Sequence, residues 1–172
     1  MRILMLILAV LFCLGGVGGS IMGPQNLNIH IFGKNPETQQ SYNALLQDLI
    51  QQKETVEKSE MSAAVKEELK SIDEIINALP SSFIYTLLHL FYYGILPILA
   101  IVLLVLAFMK NPNVNKISPI LVIASLLLWV LAPDIQGSSY GPASPKQIAL
   151  IIAVLMILHG ITSFLSYRFI KK

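Results

Sequence analysis

Four apolar segments, each close to the length that crosses a lipid bilayer as a helix, most constrain the fold of this chain. They lie at residues 3–22, 83–109, 118–132 and 147–166. About 20 apolar residues span the hydrocarbon core as an α-helix. The chain is 55% hydrophobic and only 13% charged, whereas soluble domains are about 25% charged. The sequence therefore predicts an all-α integral membrane protein with four transmembrane helices.

A polar insert separates the first apolar segment from the other three. Residues 36–79 are rich in charge, and apolar residues recur within them at the spacing of an amphipathic helix. Asn35-Pro36 is typical of a helix start, and Pro80 is typical of a helix end. We predict that the apolar stripe binds a partner protein, and the sequence leaves open whether it instead faces the bilayer, a second copy or its own other half. Its residues are Leu45, Leu49, Val56, Val65, Leu69, Ile72 and Ile76.

Two arrangements of this insert are open. One helix over residues 37–79 would extend about 65 Å at 1.5 Å per residue. A break near residues 58–62 would instead give two antiparallel helices of about 30 Å each, with their stripes buried against one another. Because both ends of the insert are tethered to membrane spans, we favour the extramembrane helical hairpin.

The first apolar segment is predicted to end at Gly23-Pro24, and alternation over residues 27–31 predicts a short strand or an extended connector. The chain then divides into a first transmembrane helix (1–23), an extracytoplasmic helical insert (24–80) and a three-helix transmembrane region (81–172). A basic start, an apolar run and small residues are also typical of a secretory signal peptide. We expect an uncleaved helix, with cleavage near residue 20 as the alternative.

Small residues line one face of the first helix. Gly15, Gly19 and Gly23 are four residues apart, and in a membrane such a face lets another helix approach closely. We predict helix packing at these three positions. In the second segment, Gly94 and Pro97 predict a kink.

Charge is segregated along the chain. If both termini share one side of the membrane, that side carries six cations and no acid, while the other side holds all ten acids and six lysines. Cytoplasmic flanks carry an excess of Lys and Arg. We therefore predict a bacterial cytoplasmic (inner) membrane protein with both termini cytoplasmic and residues 24–80 outside. The six cations are Arg2, Lys110, Lys116, Arg168, Lys171 and Lys172.

Two histidines lie within the predicted spans, where ionisable groups are candidates for function. His159 is close to the middle of the last span, and His89 is near the outer end of the second. One hypothesis is a proton or ion path through His159, His89 and Asp134. The other, which we favour, is that a neutral His159 donates a hydrogen bond to a neighbouring helix, since the repeats typical of transporters are absent from the sequence.

Catalytic, cofactor and metal motifs are absent from the sequence. It contains no HExxH, no Gly-rich phosphate loop and no Ser/His/Asp elbow. Cys13 and three scattered histidines do not form a zinc ligand set, and the chain has no basic cluster of the kind that binds nucleic acid. We predict no enzymatic activity, no cofactor and no metal, with membrane lipid and other subunits or self-association as the partners.

The layout of four spans with a large first outer loop resembles that of claudin-like and tetraspanin proteins, although the cysteines that those families use in that loop are absent. We predict a non-catalytic subunit or scaffold of a multiprotein membrane complex, docking through its Gly-rich first helix and outer helical hairpin. The alternative is a small channel or transporter component with an intramembrane His. A third hypothesis is a sensor or adhesin whose hairpin binds a ligand outside the cell.

Overall fold

The computed structural model describes residues 1–32, 42–58, 63–135 and 143–169, and these residues form helices with no strand among them. In chain order the elements are α1 (Arg2–Phe32), α2 (Tyr42–Glu57), α3 (Ala63–Ala78), α4 (Ser82–Leu90), a π-helical segment (Phe91–Ile95), α5 (Leu96–Phe108), α6 (Val114–Leu131) and α7 (Pro145–Arg168).

Four helical stretches in this described part of the chain are long and apolar enough to cross a lipid bilayer. They are α1, the run from α4 through the π-helical segment to α5, α6, and α7. By length and composition, the structure thus confirms the predicted all-α class with four membrane-spanning helices.

α1 continues without a break through Pro24, so the predicted end at Gly23-Pro24 and the predicted strand or connector over residues 27–31 are wrong. Proline removes a backbone N–H donor and usually kinks or ends a helix. Here tertiary contacts outweigh that cost. Pro24 is fully buried, and the Asn28 side chain accepts a 2.9 Å hydrogen bond from the Tyr85 hydroxyl of α4.

The second span changes its helical geometry where the sequence predicts a kink. Around Gly94 the backbone is π-helical, and the N–H of Leu96 donates to the carbonyl of Phe91, five residues earlier. Pro97 follows directly, and its missing N–H would leave one carbonyl of a regular α-helix without a donor. A π-helical turn is one of the known ways in which helices adjust at such a position.

α6 begins at Val114, four residues before the predicted opening at Ser118-Pro119. Pro119 therefore lies inside the helix. The carbonyl that loses its usual donor belongs to Asn115, which is exposed in the first turn. Because water reaches that end of the helix, the lost hydrogen bond is tolerated there.

The turn between α5 and α6 is a Schellman motif with a lysine at its left-handed position. The N–H of Asn111 donates to the carbonyl of Leu106 at 2.9 Å, and that of Lys110 donates to Ala107 at 3.3 Å. Lys110 has a φ of 57°, a conformation that glycine adopts readily because it has no Cβ. A lysine at this position therefore carries a backbone strain that a glycine would avoid.

α7 lies at the centre of the bundle, in contact with α1, α5 and α6. Much of its buried face is made of small and polar residues, which let neighbouring helices approach closely. A capping box between Ser144 and Gln147 begins the helix. The buried small and polar residues are Ala149, Ala153, His159, Gly160, Thr162, Ser163 and Ser166.

α2 and α3 contact each other, and Lys53 forms a 2.7 Å ion pair with Asp73. α2 ends at Glu57, and Lys58 lies in a turn. The alternative of one continuous helix over residues 37–79 is therefore wrong. The predicted helix start at residues 35–37 lies outside the described residues.

Candidate functional site

His159 is fully buried and bridges two neighbouring helices through their backbone carbonyl groups. Its Nδ1 lies 2.9 Å from the carbonyl oxygen of Ala9 in α1, and its Nε2 lies 3.0 Å from that of Ala100 in α5. Ser163, one turn further along α7, places its Oγ 3.5 Å from Nδ1. This single side chain therefore joins three helices.

The charge environment of this junction, rather than its hydrogen-bond geometry, indicates a neutral imidazole. Carbonyl oxygens only accept, and a neutral imidazole has one N–H, so His159 donates to one of the two carbonyls. If Nε2 is the nitrogen that donates, the Ser163 hydroxyl lies 3.5 Å from the remaining nitrogen, Nδ1. An imidazolium would donate to both carbonyls, but a buried charge without a counter-ion is costly. The described helices of the bundle contain no Asp or Glu to serve as that counter-ion.

The hydroxyl groups around His159 donate to backbone carbonyls. Ser118 of α6 donates to the carbonyl of Gly160 at 2.8 Å, which connects α6 to α7. Thr162 and Ser166 donate to carbonyls of α7 itself at 2.8 and 2.7 Å. These hydroxyl groups thus act as hydrogen-bond donors to the helix backbone, which is a structural role.

The structure does not bring the two predicted intramembrane histidines together. His89 lies about 16 Å along the helix axis from Ala100, at 1.5 Å per residue, and Ala100 is at the level of His159. The His89 ring contacts Tyr85 at a centroid distance of 4.6 Å. Asp134 is exposed beyond the end of α6. The path proposed from these three residues has no continuous contact among the described residues.

The predicted glycine face packs inside the chain. Gly15 and Gly19 face α7, and a Cβ added at Gly19 would lie 2.9 Å from Cγ1 of Ile152. A Cβ at Gly23 would overlap the ring of Tyr92, which is only 1% exposed. The chain's own helices therefore cover this face at Gly19 and Gly23, while Gly15 remains exposed beside Leu155.

The predicted partner-binding stripe is largely half-buried in the structure. Ile72 is buried, and the other six stripe residues are half-buried. Ile50 and Ile75 flank the stripe and are 49% and 50% exposed. Val56 and Ile72 line one cavity between the two helices, and the flanking isoleucines are the large apolar side chains of α2 and α3 that are exposed. The six half-buried residues are Leu45, Leu49, Val56, Val65, Leu69 and Ile76.

An aromatic and polar cluster attaches the start of α2 to α4, and the sequence analysis missed it. The ring of Tyr42 stacks on that of Tyr85 at 4.3 Å, and its hydroxyl donates to the carbonyl of Pro80. The hydroxyl of Ser82 donates to the Asn43 side chain at 2.7 Å. In the sequence Tyr42 lies three residues before Leu45, the first residue of the apolar stripe, and continues its helical spacing. A tyrosine in that position was the only available signal.

Protonation of Tyr42 matters for this attachment. Burial, with a smaller effect from the neighbouring Tyr85, raises the pKa of Tyr42 from 10.0 to about 12. The phenol is therefore neutral at physiological pH and remains a donor to Pro80. Because the folded-state pKa is the higher one, this contribution to stability is present in full below pH 10 and is lost as the pH rises through 12.

Within the described residues, no group of three or more His, Cys, Asp or Glu side chains could hold a metal ion. Comparison of the chain with family models, curated proteins and solved structures finds no match. The geometry of the chain itself is therefore the basis for a functional proposal.

Proposed function

We propose that this protein is a non-catalytic subunit or scaffold of a multiprotein complex in a bacterial cytoplasmic membrane. Both termini are cytoplasmic, and α2 and α3 form an extracytoplasmic helical hairpin. The observation that carries the proposal is the contrast between the bundle and the outer helices. The polar groups at the bundle centre bond to its own backbone, whereas α2 and α3 expose charged and apolar side chains.

The hairpin is supported by its internal and basal contacts. Lys53 of α2 pairs with Asp73 of α3, and α2 ends before α3 begins. The stack of Tyr42 on Tyr85 fixes the start of α2 against the bundle. Two helices of 16 residues each bury too little apolar surface to be stable alone. A partner on the outer side would supply the missing contacts.

The docking surface belongs to the outer hairpin. The sequence suggests the glycine face of α1 as a second docking surface, but Ile152 of α7 packs at Gly19 and Tyr92 packs at Gly23, so these two positions hold the bundle together. Ile50 and Ile75 are the exposed large apolar residues of α2 and α3 within the described part of the chain. Partly exposed apolar side chains surrounded by charge are typical of protein interfaces.

A small channel or transporter component with an intramembrane His is the alternative. It requires access of water or ions to His159, a residue that is fully buried and whose ring nitrogens face backbone carbonyls. A structural His159 is therefore the better-supported reading.

Photo-crosslinking in living cells tests the docking surface. A photoreactive residue at Ile50 or Ile75 is expected to capture the same protein from both positions, because both side chains flank one stripe. Ile98 is the matched control, since it is 61% exposed on α5 within a membrane span, and it is expected to yield lipid adducts. Different proteins at the two outer positions, or a second copy of this chain alone, would contradict the proposal.

A further inference from the structure

The end of the bundle at which the chain starts is uniformly basic. α1 and α6 begin there, and α5 and α7 end there, which places Arg2, Lys110, Lys116 and Arg168 at that end. Lys110, Lys116 and Arg168 are exposed. The helices and the α5–α6 turn at that end carry no Asp or Glu within the described residues. Four positive charges thus lie at one membrane surface without local counter-ions.

Lys110 is held at this surface at the expense of backbone strain. It occupies the left-handed position of the Schellman turn, where its φ is 57° and where glycine is the usual residue. Strained backbone positions persist where the side chain or the geometry has a use. The lysine side chain itself, which is exposed and charged, is the feature that glycine would not supply.

The two arginines at this end differ in their access to an external anion. The Nε of Arg2 is buried and has no hydrogen-bond partner in the described part of the chain. The guanidinium of Arg168 lies 5.1 Å from the centroid of the Phe164 ring, a cation–π contact that leaves its N–H donors available. Arg168, which is exposed, therefore offers donors at the level where lipid headgroups lie, whereas the buried Nε of Arg2 does not.

We propose that this basic end binds the headgroups of anionic phospholipids, with Lys110 as a principal contact. Phosphate oxygens accept hydrogen bonds from lysine and arginine, and each basic residue near an anionic membrane surface contributes about 1 kcal/mol. The complementary charge identifies the occupant. The inference depends on the four-span arrangement and is independent of any protein partner of the outer hairpin.

The test uses purified protein in nanodiscs that contain both phosphatidylglycerol and phosphatidylcholine. Native mass spectrometry measures how much of each lipid the protein retains. Lys110→Gly is expected to weaken retention of phosphatidylglycerol about fivefold, which corresponds to one basic contact. Lys110→Arg is expected to preserve retention. Lys66→Gln is the matched control, because Lys66 is an exposed lysine on α3, away from this surface.

The same variant separates binding from folding. Lys110→Gly relieves the left-handed backbone, so its melting temperature in detergent without anionic lipid is expected to be no lower than that of the wild type. Equal retention of both lipids by the wild type would overturn the proposal, as would unchanged retention in Lys110→Gly. Either result would mean that these charges serve only to orient the chain during insertion.

Discussion

Replacing Gly23 with alanine is expected to lower the free energy of unfolding by about 1–3 kcal/mol, the typical cost of overpacking a core. The added methyl group would overlap the ring of Tyr92, whose side chain is 1% exposed and cannot move aside. Pro24 follows immediately and is fully buried, so α1 has little freedom to shift. The contact holds α1 against the π-helical segment, and the variant should loosen both.

Gly18→Ala is the matched control for this prediction. A Cβ at Gly18 would have no atom within 4 Å, and alanine is favoured over glycine in a helix by about 1 kcal/mol. Cys13 is the single cysteine of the chain and is 3% exposed. Thermal unfolding in detergent can therefore be followed by its reaction with a fluorogenic maleimide, which requires the bundle to open. Equal melting temperatures for the two variants would show that the packing of Gly23 on Tyr92 is incorrect.

Replacing His159 with alanine is expected to lower the free energy of unfolding by roughly 2–4 kcal/mol, because each hydrogen bond in a membrane contributes about 0.5–1.5 and the emptied volume adds a cavity cost. The ring of α7 contacts the carbonyls of Ala9 and Ala100 and donates a hydrogen bond to one of them. Its loss leaves a void at the centre of three helices. The Cys13 assay measures this change directly.

His89→Ala is the control, since His89 is half-buried and its Nε2 makes no hydrogen bond in the described part of the chain. Its effect is expected to stay below about 1 kcal/mol. The comparison also separates the two functional hypotheses. A His159→Ala protein as stable as His89→Ala, combined with loss of a pH-dependent flux in proteoliposomes, would favour the channel reading.

The sequence predicts the number and approximate limits of the spans because the bilayer sets a minimum apolar length, which is a local property. Local signals also mislead at proline. Pro24 was expected to end α1 and Pro119 to open the third span, yet both lie inside helices. What overrides the signal at Pro24 is tertiary packing, and at Pro119 it is the exposure of the preceding turn. Neither the tertiary packing nor the exposure of that turn can be read from the local sequence.

The candidate sites also divide into features that the local sequence predicts and contacts that only the folded chain shows. The spacing of Gly15, Gly19 and Gly23 indicates a packing face, but only the folded chain shows that Ile152 packs at Gly19 and Tyr92 at Gly23, while Gly15 stays exposed. Polarity at membrane depth draws attention to His159. Its carbonyl partners are backbone atoms more than 50 residues away, and a backbone carbonyl leaves no signature in the sequence.

Gentle detergent extraction of the native protein, followed by size analysis and mass spectrometry of the associated chains, tests the proposed subunit role most directly. We predict an assembly much larger than one chain, with the same partner proteins in each preparation. A variant with Ile50→Glu in α2 and Ile75→Glu in α3 is predicted to lose those partners while the bundle stays folded. A lone protein or a pure homo-oligomer from wild-type cells would contradict the account.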